Sequence, residues 1–144
     1  MGIETRLGEQ CLHAIANGGA ALTRPAREEL HEAVFQGRDI LLDIDIQGAR
    51  QLRREYPDDA VTILVMAPSL AELEERLRRR ATEPTEAIKR RLERAAEEIS
   101  AYREYDYLLI NETIEQALSR LGAMVEAERW KVARLRKEFA PWKS

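Results

Sequence analysis

Three short apolar runs, separated by segments with helical spacing, most constrain how this chain folds. The runs occupy residues 40–45, 61–66 and 105–110. Each run is shorter than an ordinary buried helix, and the second is rich in β-branched residues, so each is predicted to form a buried strand. Strands that alternate with helices favour an α/β layered domain in which right-handed crossovers produce a parallel sheet.

The segments between the runs carry apolar residues three or four positions apart, which predicts amphipathic helices. The first helix is predicted to begin near Thr23, just before Pro25, and to end at Gly37. Ser69 and Thr113 are predicted to cap two later helices. The apolar positions predicted to face inward are Leu30, Val34, Phe35, Leu70, Leu73, Leu77, Ile88, Leu92, Ile99, Ile114, Leu118, Leu121 and Val125.

The N-terminal segment has weaker patterning than the rest of the chain. Residues 1–22 are predicted to be a leader, and residues 23–144 a single α/β domain. The leader is predicted to hold a short amphipathic helix, with Leu12 and Ile15 inward and a glycine-rich stop at residues 17–19. It contains no convincing strand pattern.

Composition excludes several classes of function. The 144 residues carry 26 acidic and 23 basic side chains, so the balanced charge argues against nucleic-acid binding. No apolar run approaches the roughly 20 residues of a membrane helix, and no membrane association is predicted. His13 and His31 have no metal-ligand neighbourhood, so no protein-held metal is predicted. The single Cys11 excludes an intrachain disulfide, and the predicted compartment is the reducing cytoplasm.

Polar side chains follow two of the predicted strands. Asp43 and Asp45 end the first run, and Asn111 follows the third. Ligands of parallel α/β sheets bind outside the carboxyl ends of the strands, so these three residues are candidates for a binding site. The alternatives are simple solvation of the two carboxylates and, for Asn111, capping of the helix that begins near Thr113.

Three stretches, residues 37–50, 67–82 and 97–111, together resemble the second half of a guanylate kinase. The first contains Leu-Asp-Ile-Asp-Ile-Gln-Gly at residues 42–48. Guanylate kinases transfer a phosphoryl group from ATP to GMP. The resemblance runs from about residue 37 to residue 129. It implies the three-layer parallel sheet of P-loop nucleotide kinases, with GMP and ATP as ligands and Mg²⁺ accompanying ATP.

The resemblance also implies roles for individual residues. Asp45 is similar in position to the carboxylate that accepts hydrogen bonds from N1–H and N2–H₂ of guanine. Asp43 resembles the neighbouring acid near the metal and phosphates. Thr23 resembles a hydroxyl that contacts the GMP phosphate, with helix capping as its alternative. Asn111 resembles the asparagine that contacts the ATP side.

Arginine supplies 19 of the 23 basic side chains, and many lie between residues 76 and 94. Arg78, Arg80 and Arg91 match the family's lid arginines, the resemblance implying a catalytic role within a lid at about residues 78–91. Arginines on a mobile segment suit phosphoryl transfer, which depends on positioning and positive charge. The alternative is a solvated helical face on which each Arg pairs with a Glu four residues earlier.

The family's phosphate loop has no counterpart in these residues. A Walker A motif requires Gly-Lys followed by Ser or Thr, and none of the four lysines is preceded by glycine. In the family this loop follows a central strand, so the sheet is expected to be incomplete or rearranged. A rearranged N-terminal segment, direct pairing of the flanking strands or a partner chain would fill the gap. We favour self-association or a rearranged sheet, and the predicted partner that completes the sheet is a second copy in a homo-oligomer or another chain.

These observations predict a guanylate-kinase-like protein, truncated or divergent, that is weakly active or inactive by itself. The alternative is a non-catalytic protein-interaction module, a role that guanylate-kinase-like domains also take and that loss of the phosphate loop permits. A third hypothesis is another small-molecule kinase, against which the stretch at residues 98–107 argues.

Overall fold

The computed structural model describes residues 12–14, 24–80 and 84–134 of the chain. Helices alternate with short parallel strands in these residues, which confirms the predicted α/β class. The chain divides into two compact units, residues 1–60 and 61–144. The elements are β1 (Leu12–Ala14), α1 (Arg24–Gln36), β2 (Ile40–Leu42), α2 (Ile46–Glu55), β3 (Ile63–Met66), α3 (Leu70–Arg80), α4 (Thr85–Ser100), β4 (Tyr107–Ile110) and α5 (Ile114–Arg129), with 3₁₀ turns at Tyr102–Glu104 and Val132–Arg134.

The first unit contains a parallel strand that the sequence pattern missed. β1 pairs with β2 so that Leu12 lies opposite Ile40 and Ala14 opposite Leu42. The prediction of a helix without any strand in residues 1–22 is therefore wrong. Backbone N–H and C=O groups on the edge of β2 pair with residues 12–14, and these hydrogen bonds outweigh the weak helical spacing of apolar residues in the sequence.

Two helices share a small apolar core in the first unit. Leu30 of α1 and Leu52 of α2 are buried in one cluster. Glu55 at the end of α2 also forms an ion pair with Arg27 of α1, with 3.1 Å between Nη2 and Oε1. α1 ends where the sequence predicts, at Gly37, whose φ of 66° is in the left-handed region that glycine adopts without strain.

The second unit is organised around the parallel pair β3 and β4. Ile63 lies opposite Tyr107, and the register continues along both strands. Two hydrogen bonds link the residues that precede the two strands: the Thr62 N–H and hydroxyl each donate to Asp106 Oδ2 at 2.8 Å. Thr62 is buried, so Asp106 satisfies polar groups that would otherwise lack partners. These hydrogen bonds hold β3 and β4 in their register.

The predicted helices of the second unit are confirmed, and so are two of their caps. The Ser69 hydroxyl accepts from the N–H of Glu72 at 3.1 Å, and the Thr113 hydroxyl accepts from Gln116 at 3.3 Å. α3 ends at Arg80, and α4 begins just after Pro84. Within the ranges that the structure describes, no helix is long and apolar enough to span a membrane.

Several positions predicted to face inward are exposed instead. Phe35 is 84% exposed, because it lies about 100° around α1 from the half-buried Val34. Ile114, the first residue of α5, is 61% exposed. The strands are also less buried than their apolar runs predict: Leu41 of β2 and Val65 of β3 are about half exposed. Each sheet has only two strands among the described residues, so each strand has one edge without a neighbouring strand.

Candidate functional site

The acidic segment after β2 has two carboxylates in different environments. Asp45 caps α2: its backbone is extended, and Oδ1 accepts from the N–H of Gly48 at 2.8 Å. Its second oxygen, Oδ2, makes no hydrogen bond among the described residues. Asp43 is exposed, and its carboxylate forms neither a hydrogen bond nor an ion pair with any described residue. The segment therefore offers unused carboxylate oxygens at the carboxyl end of a parallel strand.

The absence of a side chain at Gly48 lets its backbone approach Ile44 and Asp45 closely. Gly48 is buried, and a Cβ atom built on it would lie 3.0 Å from Cβ of Ile44 and 3.5 Å from the capping oxygen of Asp45. The first distance is tighter than ordinary van der Waals contact. A side chain at this position would therefore press on Ile44, which lies directly before the capping residue Asp45.

Asn111 follows β4 directly and occupies the carboxyl end of the other strand pair. Its N–H donates to the Met66 carbonyl at 2.7 Å, which extends the ladder of β3 and β4. Thr113, not Asn111, supplies the side-chain cap of α5, so the capping alternative for Asn111 is wrong. The Asn111 side-chain amide makes no hydrogen bond among the described residues.

Arg76 is a residue of this region that no sequence motif distinguishes from its neighbours. Nη1 donates to the Asn111 carbonyl at 2.9 Å, and Nη2 donates to the Glu112 carbonyl at 3.2 Å. Nε donates to Oε1 of Glu72 at 2.8 Å, so Glu72 does not complete a reciprocal capping box with Ser69. The sequence signal that was available is the i, i+4 spacing of Glu72 and Arg76. The carbonyl contacts depend on the fold.

Two of the predicted lid arginines lie on exposed helix surfaces. Arg78 of α3 donates to Oε1 of Glu74 from Nε at 3.0 Å and from Nη2 at 2.7 Å, which is the pairing of the alternative interpretation. Arg91 is exposed on α4, which packs against α3. Arg80 is the last residue of α3, and its side chain lies outside the described part of the chain. A catalytic role for these residues stays a prediction.

The structure groups the predicted site residues by unit. Asp43 and Asp45 lie two residues apart in the first unit, and Asn111 is tied to α3 through Arg76 in the second. Thr23 falls outside the described residues. Across residues 12–14, 24–80 and 84–134, no three His, Cys, Asp or Glu side chains come together in a way that could hold a metal ion.

A buried carboxylate with three partners lies near the other end of β4. Oε1 of Glu128 accepts from the Tyr107 hydroxyl and from Nζ of Lys131, both at 2.6 Å, and Oε2 accepts from Nε of Arg134 at 3.1 Å. Burial alone would raise the pKa of Glu128, but the hydrogen bonds from Lys131 and Tyr107 outweigh it and lower that pKa. The same bonds raise the pKa of Tyr107 and of Lys131. We refer to these four residues as the Glu128 cluster.

Known proteins match most of the chain. The family model described as guanylate kinase matches residues 21–128. A guanylate kinase of Maricaulis maris is 50% identical over 111 residues, which cover 77% of this chain and 49% of that protein. One of Nitrosospira multiformis is 49% identical over 109 residues, which cover 76% of this chain and 51% of that protein.

A solved structure extends the match to three dimensions. The crystal structure of guanylate kinase from Anaplasma phagocytophilum superposes with a TM-score of 0.62 at 35% sequence identity, covering 75% of this chain and 50% of that one. The chain thus spans about half the length of the curated relatives it matches. The sequence match over three quarters of the chain shows that it belongs to the guanylate kinase family.

Proposed function

We propose that the chain binds the nucleotides of the guanylate kinase reaction, with GMP at the acidic segment after β2. The observation that carries this proposal is the pair Asp43 and Asp45, which lie at the carboxyl end of β2 with oxygens that no described residue uses. Guanine presents N1–H and N2–H₂ side by side, and a carboxylate accepts from both. Adenine lacks this adjacent donor pair, so a carboxylate here selects guanine. Thr23 is our proposed contact for the GMP phosphate.

ATP is the proposed second ligand, with Asn111 on its side of the site. The side-chain amide of Asn111, which makes no hydrogen bond among the described residues, supplies both a donor and an acceptor for the nucleotide. Arg78, Arg80 and Arg91, in a lid at about residues 78–91, are proposed to bring positive charge to the transferring phosphoryl group. In this role Arg78 exchanges Glu74 for phosphate, which is a small cost because the pair is exposed.

Catalysis by this chain alone is proposed to be weak or absent. The sequence contains no Walker A lysine, and that motif normally cradles the phosphates of ATP and supplies a hydroxyl to Mg²⁺. Mg²⁺ enters as part of the substrate Mg-ATP. The exposed carboxylate of Asp43 suits a hard cation that keeps most of its ligands from water and phosphate.

Calorimetric titration with GMP and with Mg-ATP, alongside a coupled kinase assay, tests this proposal. We expect GMP to bind, with turnover far below that of an ordinary guanylate kinase. Turnover at an ordinary rate would contradict the proposed loss of activity. Absence of binding by both nucleotides would contradict the nucleotide site and support the alternative, a protein-interaction module, which the missing Walker A lysine also permits.

We further propose that the strands belong to a larger three-layer sheet of the P-loop kinase type, completed by a second copy or a partner chain. In each strand pair of the described residues, every strand has one edge without a neighbouring strand. Leu41, Val65 and Leu108 are also about half exposed, although strands of this kind are normally covered on both faces. These features favour association.

Sedimentation velocity on the purified chain tests whether it completes its sheet by itself. A species of twice the chain mass or more is expected, since burying the exposed strand positions Leu41, Val65 and Leu108 stabilises association. The control variant Phe35→Ser changes an exposed apolar residue on a helix and is expected to leave the mass unchanged. A folded monomer at all concentrations would contradict self-association.

The proposed setting is purine nucleotide metabolism in the cytoplasm. It follows from the proposed substrates GMP and ATP. A single cysteine, Cys11, is consistent with a reducing compartment, because it supports no disulfide framework within the chain.

A further inference from the structure

The segment that follows α5 buries no apolar side chain. Residues 131–134 lie just beyond the helix, and Val132–Arg134 form a 3₁₀ turn without a buried residue. Val132 is 83% exposed, and Trp130, which precedes the segment, is 64% exposed. Burial of apolar surface therefore contributes little to holding this segment against the rest of the second unit. We call residues 131–134 the C-terminal strap.

The C-terminal strap is held by charge instead. Both of its cations contact the carboxylate of Glu128: Nζ of Lys131 lies 2.6 Å from Oε1, and Nε of Arg134 lies 3.1 Å from Oε2. The Lys131 N–H also donates to the Glu128 carbonyl at 3.3 Å, and the Arg134 N–H donates to the Lys131 carbonyl at 2.8 Å. Backbone bonds of this 3₁₀ type have poorer geometry than those of an α-helix. Both ion pairs of the strap thus depend on a single residue, Glu128.

Glu128 is also the residue that links α5 to β4. The Tyr107 hydroxyl of β4 donates to Oε1 of Glu128 at 2.6 Å. Glu128 is only 7% exposed, although its neighbours in the last turn of α5 are exposed. Lys131 and Arg134 contact both of its oxygens, so the strap helps to shield this carboxylate from water. A hydrogen bond to a charged acceptor is stronger where water is excluded, so the strap strengthens the link between Tyr107 and Glu128.

We propose that the C-terminal strap is a conformational device that Glu128 closes, and that it opens while the rest of the second unit stays folded. Segments that open locally bury few apolar contacts and rely on exposed hydrogen bonds, as this strap does. Opening exposes the Tyr107 hydroxyl to water and releases the chain beyond Trp130. The proposal is independent of the nucleotide site, because Tyr107 begins β4 whereas the candidate residue Asn111 follows its end.

Limited digestion with trypsin tests the proposal, since trypsin cleaves after Lys and Arg and the strap contains one of each. The wild type and Glu128→Ala are digested under native conditions, and each bond is followed by mass spectrometry. Cleavage after Lys131 and after Arg134 is expected to be about tenfold faster in the variant, as for loss of hydrogen bonds to a charged group. Glu126→Ala is the matched control, because Glu126 lies on the same helix but accepts from Nε1 of Trp130 at 2.7 Å. Its cleavage pattern is expected to equal that of the wild type.

Urea separates local opening of the strap from unfolding of the whole unit. Local opening exposes little surface, so cleavage through it changes little across low urea concentrations, whereas cleavage through unfolding rises steeply. We expect the first behaviour after Lys131 and Arg134, and the second after Arg94 within α4. Equal acceleration of all bonds in Glu128→Ala, with a steep urea dependence, would overturn the proposal, because Glu128 would then only stabilise the fold. Unchanged cleavage at the two strap bonds would overturn it as well.

A second variant keeps the test decisive if Glu128→Ala does not fold. Arg134→Gln removes one cation of the strap and leaves the hydrogen bond between Tyr107 and Glu128 in place. Cleavage after Lys131 is then expected to be about threefold faster than in the wild type, because a partly exposed ion pair contributes less than a buried one. An unchanged rate at this bond would show that charge does not close the strap.

Discussion

Replacing Asp45 by Asn is expected to weaken GMP binding roughly 10- to 100-fold, as for loss of hydrogen bonds to a charged group, while the fold keeps its stability. Asn caps helices about as well as Asp, so its side-chain oxygen continues to accept from the Gly48 N–H. What Asp45→Asn removes is the second carboxylate oxygen, which has no hydrogen bond among the described residues. An NH₂ group in its place opposes the donors of guanine instead of accepting from them.

Calorimetric titration with GMP and thermal unfolding measure the two roles of Asp45 separately. Asp45→Ala is the companion variant: it loses the cap as well, so we expect it to cost about 0.5–2 kcal/mol of stability and also to weaken GMP binding. An Asp45→Asn variant that binds GMP as well as the wild type would restrict this residue to capping α2. It would leave Asp43 as the candidate for the guanine contact.

Removing the carboxylate of the Glu128 cluster is expected to destabilise the second unit by about 1–3 kcal/mol. Glu128 is 7% exposed and accepts from three side chains, so Glu128→Ala removes the acceptor that the Tyr107 hydroxyl, Lys131 and Arg134 share. Removing one partner of a fully buried ion pair costs more stability than this range. Here Lys131 and Arg134 are partly exposed, so water solvates them in the variant and the expected loss of stability is smaller. Urea unfolding at neutral pH measures the change.

The pH dependence of the same variant follows from the lowered pKa of Glu128. A carboxylate whose pKa is lower in the folded than in the unfolded chain adds stability above its ordinary value of 4.5, and this stability is lost as the pH falls through the folded-state pKa. The gap between wild type and Glu128→Ala should therefore be constant near neutral pH and shrink in acid. Glu128→Gln, which keeps an acceptor for Tyr107, is expected to fall between the two. A gap that widens in acid would contradict the assigned ionised state.

The order and type of the main elements follow from local patterns, because they depend on contacts a few residues apart. Helical spacing and caps at Ser69 and Thr113 predicted α3 and α5, and the apolar runs predicted β2, β3 and β4. The strand β1 was missed, since three residues carry little preference of their own and β2 provides the pairing. Exposure at Phe35 was missed because the apolar spacing around it fits more than one helix face.

The residues of the candidate site likewise divide into those that the sequence could place and one that only the fold could identify. Asp43, Asp45 and Asn111 could be placed at strand ends from the sequence, because an apolar run that breaks into polar residues marks such an end. Arg76 could not be distinguished from its neighbours Arg78 and Arg79, since all three share the i, i+4 pairing with Glu. Only the position of the Asn111 and Glu112 carbonyls, brought to α3 from more than 30 residues away in the chain, sets Arg76 apart.

The sequence by itself therefore determined the family, the α/β class and the acidic and asparagine residues at the strand ends, because these are carried by contiguous motifs. Tertiary structure alone decided that β1 pairs with β2, that Arg76 holds the segment after β4, and that Glu128 is a buried acceptor for the Tyr107 hydroxyl. The physical reason is the range of the interactions. Helical spacing and capping act over three or four residues, whereas burial and hydrogen bonds between elements exist only once distant segments have packed together.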